Sequence, residues 1–103
     1  MLSLFKKIFS AKTADLRELI KAGALIVDVR TEAEFADAHV KNSLNIPLEK
    51  IGSKAEELKQ HSYIIVCCRS GNRSGMAERI LKSKGLRNVS NGGSWQNVNN
   101  YTR

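Results

Sequence analysis

Two adjacent thiols open a short segment whose residue types suit nucleophilic chemistry. The segment is VCCRSGNRSG, residues 66–75, in which Cys67 and Cys68 are followed by Arg69 and Arg73. A cysteine thiol with a pKa of about 8.5 is mostly protonated at neutral pH, and the thiolate is the form that attacks. The segment therefore predicts a reactive cysteine, provided that its surroundings stabilise an anion on sulfur.

The residues that follow the cysteines offer three sources of such stabilisation. The arginines add positive charge, the amides of a loop rich in Gly, Ser and Asn can converge on one point, and the next helix directs its positive dipole end there. The same features bind an anionic substrate. The expected substrate-binding residues are Arg69, Ser70, Gly71, Asn72, Arg73 and Ser74.

Side-chain alternation along a strand separates the two cysteines. The run YIIVCC, residues 63–68, predicts a strand in which Cys67 is the last regular position and packs against the layer covering the sheet. A thiol in apolar surroundings is inert, whereas Cys68 begins the loop beneath the amides of residues 69–73. Cys68 is thus the predicted nucleophile.

The cysteine count argues against two other uses of these thiols. Adjacent cysteines cannot easily reach disulfide geometry. The chain has two cysteines in all, and no cluster of residues has zinc-ligand spacing, so no metal site is expected. Free thiols suit a reducing compartment, which indicates a cytoplasmic protein.

Strands and helices alternate along the chain on either side of this segment. Short apolar runs predict strands at 24–29, 43–48, 63–68 and, more weakly, at Val89. Capped or amphipathic segments predict helices at 13–23, 31–39, 54–61, 73–85 and, briefly, after the glycine pair. This order predicts an α/β fold, a small parallel sheet of four to five strands with helices on both faces.

Individual residues mark the ends of these helices. Thr31 followed by Glu34 matches a capping box, and Ser53 is expected to cap the helix at 54–61. Gly85 stands where a left-handed residue would end a helix. Because ligands of parallel sheets bind beyond the carboxyl ends of strands, the loop at 67–72 is the expected site.

The chain length of 103 residues suits one small domain. We expect the domain to occupy residues 13–103, after an N-terminal extension, residues 1–12, that is a frayed or packed terminus, a first strand or an amphipathic segment. No apolar run approaches the roughly 18 residues of a membrane span, so stable membrane insertion is not expected. A monomer is the default expectation.

One half of the chain carries the whole net charge of +7. Residues 1–58 hold nine Lys/Arg and nine Asp/Glu, whereas residues 59–103 hold eight Lys/Arg and the single acid Glu78. A basic half indicates a nucleic acid, an acidic partner protein or a small anion. Three aromatic residues in that half are too few for interleaved base stacking, so no nucleic-acid partner is expected.

Taken in order along the chain, these motifs resemble the single-domain rhodaneses, which are sulfurtransferases. The segments that carry the resemblance are DVRTEAEFADAHVKNSLNIP, IVCCRSGNRS and GGSW, and they fall within residues 13–97. The family shows Asp-x-Arg, then Glu-Phe, a His-containing turn and Asn-Ile-Pro, then the loop Cys-Arg-x-Gly-x-Arg-Ser, and last Gly-Gly and Trp. This chain has matching residues in the same order: Asp28, Arg30, Glu34, Phe35, His39, Asn45, Ile46, Pro47, Cys68, Arg69, Gly71, Arg73, Ser74, Gly92, Gly93 and Trp95.

The resemblance implies a two-step transfer of sulfur through Cys68. Its thiolate takes the outer sulfur of a donor such as thiosulfate, and an acceptor thiolate or cyanide then removes that sulfur from the Cys68 persulfide. Arg69 and Arg73 would place the donor's sulfonate, and no metal or organic cofactor is needed. The expected partners are a small anionic sulfur donor and a thiol acceptor, either a small molecule or a thioredoxin-like or carrier protein.

Three further residues are expected to support the site rather than to react. Asp28 and Arg30 have the pattern of a buried ionic pair or hydrogen-bond set that braces the loops. His39 is expected to fix the turn near residue 40, because persulfide transfer needs no base at the sulfur. Trp95 suits either the wall of the pocket mouth or the core.

Two alternative functions stay open. Counted from Cys67, the loop reads Cys-x5-Arg-Ser, the spacing of cysteine-dependent phosphatases. These enzymes usually carry His where this chain has Val66, and no Asp loop offers the general acid that they need. The second alternative is a non-catalytic binding module on the rhodanese scaffold, although such modules commonly lack the loop cysteine.

Overall fold

The structure, a computed structural model, describes residues 12–103 of the chain. These residues contain six α-helices and four strands. The helices are α1 (Lys12–Lys21), α2 (Glu32–Asp37), α3 (Leu48–Ile51), α4 (Ala55–Leu58), α5 (Asn72–Ser83) and α6 (Trp95–Asn100). A 3-10 turn, Gly52–Lys54, joins α3 to α4. The strands are β1 (Leu25–Asp28), β2 (Leu44–Asn45), β3 (Ile64–Cys68) and β4 (Val89–Ser94).

The strands form one parallel sheet in the order β2-β1-β3-β4. The central strand β3 is buried along its whole length, as a strand covered on both faces must be. Its register with β1, from Leu25 opposite Ile64 to Asp28 opposite Cys67, brings the carboxyl ends of both strands to the same edge. The predicted α/β fold with a parallel sheet is confirmed, and the sheet has four strands in the described residues.

The sheet separates two apolar clusters, one on each face. The first, which we call the α5 cluster, includes Ile51 and Leu81 and lies between the sheet and helices α3, α4 and α5. The second, the α6 cluster, includes Leu16 and Val98 and lies between the sheet and helices α1 and α6. Helices therefore cover both faces of the sheet, and successive β3 side chains enter alternate clusters.

The segment after Pro47 differs from the prediction. β2 has two residues rather than the predicted six, and helical turns begin already at Leu48. Pro47 does not simply end a strand: it stands at the N-cap of α3, where a missing N–H costs nothing. The expected cap at Ser53 is wrong, because Ser53 lies inside the 3-10 turn and its hydroxyl donates to the Lys50 carbonyl at 2.8 Å.

The last strand is longer than the weak strand predicted at Val89. β4 runs over six residues, VSNGGS, because it pairs with β3 along that length. Ser94 then caps α6 by accepting a hydrogen bond of 3.0 Å from the Asn97 N–H, and this short final helix is as predicted. β4 and α6 together position a part of the site that the sequence motifs do not reveal.

The ends of the other helices agree with the sequence pattern. Thr31 and Glu34 form the predicted capping box at the start of α2. Gly85 has a φ of 101° after the end of α5.

The predicted extension at residues 1–12 lies outside the described residues except for Lys12, the first residue of α1. Among the helices of residues 12–103, none has both the length and the apolar character needed to cross a membrane.

Candidate active site

The last two residues of β3 direct their thiols to opposite faces of the sheet. Cys67 belongs to the α6 cluster and Cys68 to the α5 cluster, and they expose 0% and 1% of their surface. β3 ends at Cys68, the last residue of the predicted strand, although Cys68 is predicted to begin the loop. The two side chains are nevertheless separated in the way that alternation along a strand requires.

The chain that follows β3 turns back over the Cys68 sulfur. The N–H of Gly71 donates to this sulfur at 3.0 Å, the N–H of Ser74 donates at 3.4 Å, and the Ser74 Oγ lies 3.3 Å away. Gly71 has a φ of 102°, a conformation that a residue with a Cβ rarely adopts, and α5 begins directly after it. We call the segment from Cys68 to Ser74, which contains the sulfur and these hydrogen-bond donors, the sulfur bowl.

The two thiols differ in acidity because their surroundings differ. Burial opposes ionisation of Cys68, but hydrogen bonds from the Ser74 hydroxyl and from the N–H groups of Ser74, Gly71 and Ser70 outweigh it and lower the pKa of this thiol. Burial raises the pKa of the Cys67 thiol far above its ordinary value, and the Asp28 carboxylate raises it further. Cys68 is therefore the thiol whose anion the protein stabilises.

Arg73, in the first turn of α5, binds the carboxylate of Glu34 from α2. Its Nη1 and Nη2 donate to Oε1 and Oε2 of Glu34 at 2.8 and 3.1 Å. The hydrogen bonds from Arg73, with another from the Thr31 N–H, lower the pKa of Glu34 to about 2. Arg73 is predicted from the sequence to hold a donor's sulfonate, whereas in the structure its guanidinium binds a carboxylate of the protein itself.

Three of the remaining predicted binding residues lie at the surface. Arg69, Ser70 and Asn72 are exposed, whereas Ser74 is fully buried beside the sulfur.

A buried ion pair lies at the carboxyl end of β1. Arg30 Nη2 lies 2.7 Å from Asp28 Oδ2 and donates to the Ala38 carbonyl, also at 2.7 Å. Asp28 is fully buried and Arg30 is 5% exposed, and such burial is tolerated when the remaining hydrogen-bonding groups are satisfied. The Arg30 Cζ lies 5.1 Å from the ring centre of Trp95, which packs against the α6 cluster. The pair thus joins β1 to the chain after α2 and to the start of α6.

His39 makes local contacts within the turn that follows α2. Its Nδ1 lies 2.6 Å from the Phe35 carbonyl oxygen, and its exposed ring stacks on Phe35 with ring centres 3.7 Å apart. This geometry suits a residue that fixes the turn before Val40, which is fully buried.

Asn91, on β4, contacts the site although no sequence motif predicts it. Its Oδ1 accepts hydrogen bonds from the Ser74 hydroxyl at 2.7 Å and from the Gly93 N–H at 2.9 Å, and its Nδ2 donates to the Gly71 carbonyl at 3.1 Å. An asparagine before two glycines is typical of a turn, so no local pattern places Asn91 beside the sulfur. The contact of Glu34 with Arg73 is missed as well, since Glu34 is predicted only as a capping residue and a motif match.

Together, the fold and the site define a parallel α/β domain in which one cysteine sulfur, that of Cys68, is hydrogen-bonded by backbone N–H groups at the end of a central strand. A model of the rhodanese-like domain family matches residues 12–100 of this chain. The chain therefore belongs to the rhodanese-like domain family.

Two curated relatives show the range of similar proteins. The chain is 39% identical over 66 residues to the putative sulfur carrier protein YrkF of Bacillus subtilis, in a match covering 64% of this chain and 36% of that protein. It is 28% identical over 74 residues to the thiosulfate sulfurtransferase PspE of Escherichia coli, in a match covering 70% of this chain and 71% of that protein. The chain spans about a third of YrkF and most of PspE.

Two solved structures share the architecture. The human single-domain sulfurtransferase TSTD1 superposes with a TM-score of 0.70 at 23% identity, covering 82% of this chain and 88% of that one, which shows a common fold. A rhodanese with anions from E. coli superposes with a TM-score of 0.67 at 28% identity, covering 73% of this chain and 91% of that one.

Proposed function

We propose that the protein is a sulfurtransferase that moves a sulfane sulfur from thiosulfate or a persulfide donor to a thiol or cyanide through a Cys68 persulfide. The observation that carries the proposal is the hydrogen bonding of one buried sulfur, Cys68 Sγ, by the N–H groups of Gly71 and Ser74. Donors fixed in this way stabilise negative charge before and after the transfer, and they need no reorganisation during it.

In the first step, the Cys68 thiolate attacks the outer sulfur of the donor. A bond forms between Cys68 Sγ and that sulfur, the sulfur–sulfur bond of thiosulfate breaks, and sulfite leaves with the bonding electron pair. The product is a Cys68 persulfide whose terminal sulfur carries the negative charge. The N–H groups of Gly71 and Ser74 donate to Cys68 Sγ, so they stabilise the thiolate that attacks the donor.

In the second step, an acceptor thiolate or cyanide attacks the terminal sulfur of the persulfide. The sulfur–sulfur bond to Cys68 breaks, and its electron pair returns to Cys68 as the thiolate. The acceptor leaves as a persulfide or as thiocyanate. Both steps exchange one sulfur–sulfur bond for another bond to sulfur, so neither requires a metal or an organic cofactor.

Arg69 and Arg73 have different parts in this proposal. Arg69 is exposed and directly follows Cys68, so it is the cation proposed to bind the donor's sulfonate. Arg73 adds positive charge near the sulfur, but its guanidinium is already bound to Glu34. The acceptor is proposed to be a thiol, carried either by a small molecule or by a thioredoxin-like or carrier protein.

Sulfur transfer is favoured over the phosphatase alternative by the position of Cys67. A phosphatase that uses the Cys-x5-Arg spacing would need the Cys67 thiolate inside the loop. Cys67 instead belongs to the α6 cluster, and burial raises the pKa of its thiol. The binding-module alternative gives no role to the hydrogen bonds around Cys68.

The test is transfer from thiosulfate to cyanide, followed as thiocyanate, in two matched variants. Cys68→Ser is expected to abolish transfer, because serine is a far weaker nucleophile. Cys67→Ser is expected to retain most of it, once circular dichroism shows that the variant is folded. Loss in Cys67→Ser with retention in Cys68→Ser, or phosphatase turnover that survives in Cys68→Ser, would overturn the proposal.

A further inference from the structure

Asn91 connects β4 to two parts of the sulfur bowl at once. Its Nδ2 donates to the Gly71 carbonyl at 3.1 Å, which also accepts the Gly75 N–H of the first turn of α5 at 2.9 Å. Its Oδ1 accepts the Ser74 hydroxyl at 2.7 Å. Gly71 and Ser74 both contact the Cys68 sulfur, so Asn91 acts on two of its partners without touching the sulfur itself.

The Ser74 hydroxyl has one hydrogen and two neighbouring acceptors. The Asn91 Oδ1 lies 2.7 Å from the hydroxyl oxygen, and the Cys68 sulfur lies 3.3 Å from it. Ser74 is fully buried, so bulk solvent does not reach its hydroxyl. A hydrogen directed at Asn91 is not available to the sulfur, and the reverse is equally true.

We infer that Asn91 is a positioning residue that sets the ionisation of Cys68 by competing with its sulfur for the Ser74 hydroxyl hydrogen. The inference rests on the proposed role of Cys68 as the nucleophile. The inference gives β4 a role in setting the ionisation of Cys68, in addition to the roles of residues 68–74.

The hydrogen-bond pattern changes in a defined way when Cys68 ionises. In the thiol form, Cys68 S–H donates to Ser74 Oγ and the Ser74 hydroxyl donates to Asn91 Oδ1. When the thiol proton leaves to solvent, the Ser74 hydroxyl turns and donates to the thiolate. Asn91 Oδ1 keeps its hydrogen bond from the Gly93 N–H at 2.9 Å, so it is not left without a donor. Asn91 therefore stabilises the thiol form more than the thiolate form.

The charged groups near the sulfur come from elements other than β4. They are Arg73 paired with Glu34 of α2, the Asp28–Arg30 pair of β1, and the exposed Arg69, together with the neutral Cys67 thiol on the opposite face. Neither β4 nor α6 contains a charged residue. A carboxylate at position 91 would therefore be the first charge that β4 brings to the bowl.

The test measures the pH dependence of Cys68 alkylation by iodoacetamide, with the modified cysteine located by fragment mass. Asn91→Asp provides a stronger, negatively charged acceptor, so the midpoint is expected to rise by about one pH unit. Asn91→Leu removes the competing acceptor and fills the same space, so Ser74 is left to the sulfur and the midpoint is expected to fall by roughly half a unit. Opposite signs are the signature of competition, because a purely structural role would loosen the loop in both variants alike.

Asn88→Asp is the matched control, since it places the same charge on the exposed residue before β4, at the end remote from the bowl. Its midpoint is expected to equal that of the wild type. Shifts of the same sign in Asn91→Asp and Asn91→Leu, or no shift in either, would overturn the inference; if the Asp variant fails to fold, the sign of the Leu shift decides. Alkylation uses no sulfur donor, so failure of sulfur transfer in the wild type would overturn the proposed function and leave this result standing.

Discussion

Glu34 binds Arg73 through two hydrogen bonds, of 2.8 and 3.1 Å, which join α2 to the first turn of α5 across 39 residues of sequence. The next residue along α5, Ser74, donates its N–H to the Cys68 sulfur at 3.4 Å, and its hydroxyl oxygen lies 3.3 Å from that sulfur. The ion pair therefore fixes the turn that carries two of the sulfur's hydrogen-bond partners. The shape of the sulfur bowl therefore depends on a contact between α2 and α5, and neither helix determines it alone.

This ion pair is expected to contribute to stability in a pH-dependent way. The pKa of Glu34 is about 2 in the folded protein and 4.5 for an unperturbed carboxyl, so the pair contributes its full stability above pH 4.5 and loses it as the pH falls toward 2. Urea unfolding of the wild type and Glu34→Gln should show a constant difference in unfolding free energy above that pH and a shrinking one below it. Glu32→Gln, an exposed position on the same helix, is the control. A difference that persists unchanged to the lowest pH would contradict the assignment.

Ser74→Ala should make Cys68 less acidic. The Ser74 hydroxyl favours the thiolate, so its removal raises the pKa of Cys68, and the midpoint of alkylation is expected to move up by about one pH unit. At neutral pH this leaves roughly tenfold less thiolate, and the alkylation rate falls with it. The control is Ser83→Ala, whose exposed hydroxyl donates only to the Ile80 carbonyl of the same helix. An unchanged midpoint in Ser74→Ala would show that the hydroxyl does not act on the sulfur.

Asp28→Asn should destabilise the fold strongly. Arg30 is 5% exposed, and the loss of its carboxylate partner leaves a buried guanidinium without a counter-charge, at a cost of about 3–5 kcal/mol. Glu78→Gln breaks the exposed Glu78–Lys82 pair of α5 and is expected to cost less than about 1 kcal/mol. Chemical denaturation of both variants gives the comparison. Equal, small losses would mean that the Asp28–Arg30 pair does not brace the chain around the site.

Much of this architecture follows from local sequence pattern. The apolar run before Cys68 defines a buried strand, and the period of two along that strand separates the Cys67 and Cys68 thiols. Thr31 and Glu34 predict the start of α2 because both hydrogen bonds of a capping box form within a stretch of four residues. Such features depend on neighbours in sequence, so they can be predicted before the fold is known.

Other features depend on contacts between distant elements. The glycine-rich strand β4 pairs with β3 through a register shift between Val66 and Cys68, and a Cβ on Gly92 would come within 2.5 Å of Val98. This segment has little strand propensity of its own, so its strand conformation depends on the pairing with β3. The same pairing brings Asn91 to Ser74, and no local pattern predicts that contact. The helical turns after Pro47 are missed for a simpler reason, since proline is compatible with both a strand end and a helix start.

The central claim is that the Cys68 sulfur accepts a second sulfur atom and holds it as a persulfide. Intact mass after incubation with thiosulfate tests it most directly. The mass is predicted to increase by one sulfur atom, located at Cys68 by fragmentation, to return to its original value with cyanide, and to stay constant in Cys68→Ala. An unchanged mass in the folded wild type, or the added sulfur on Cys67, would contradict the account.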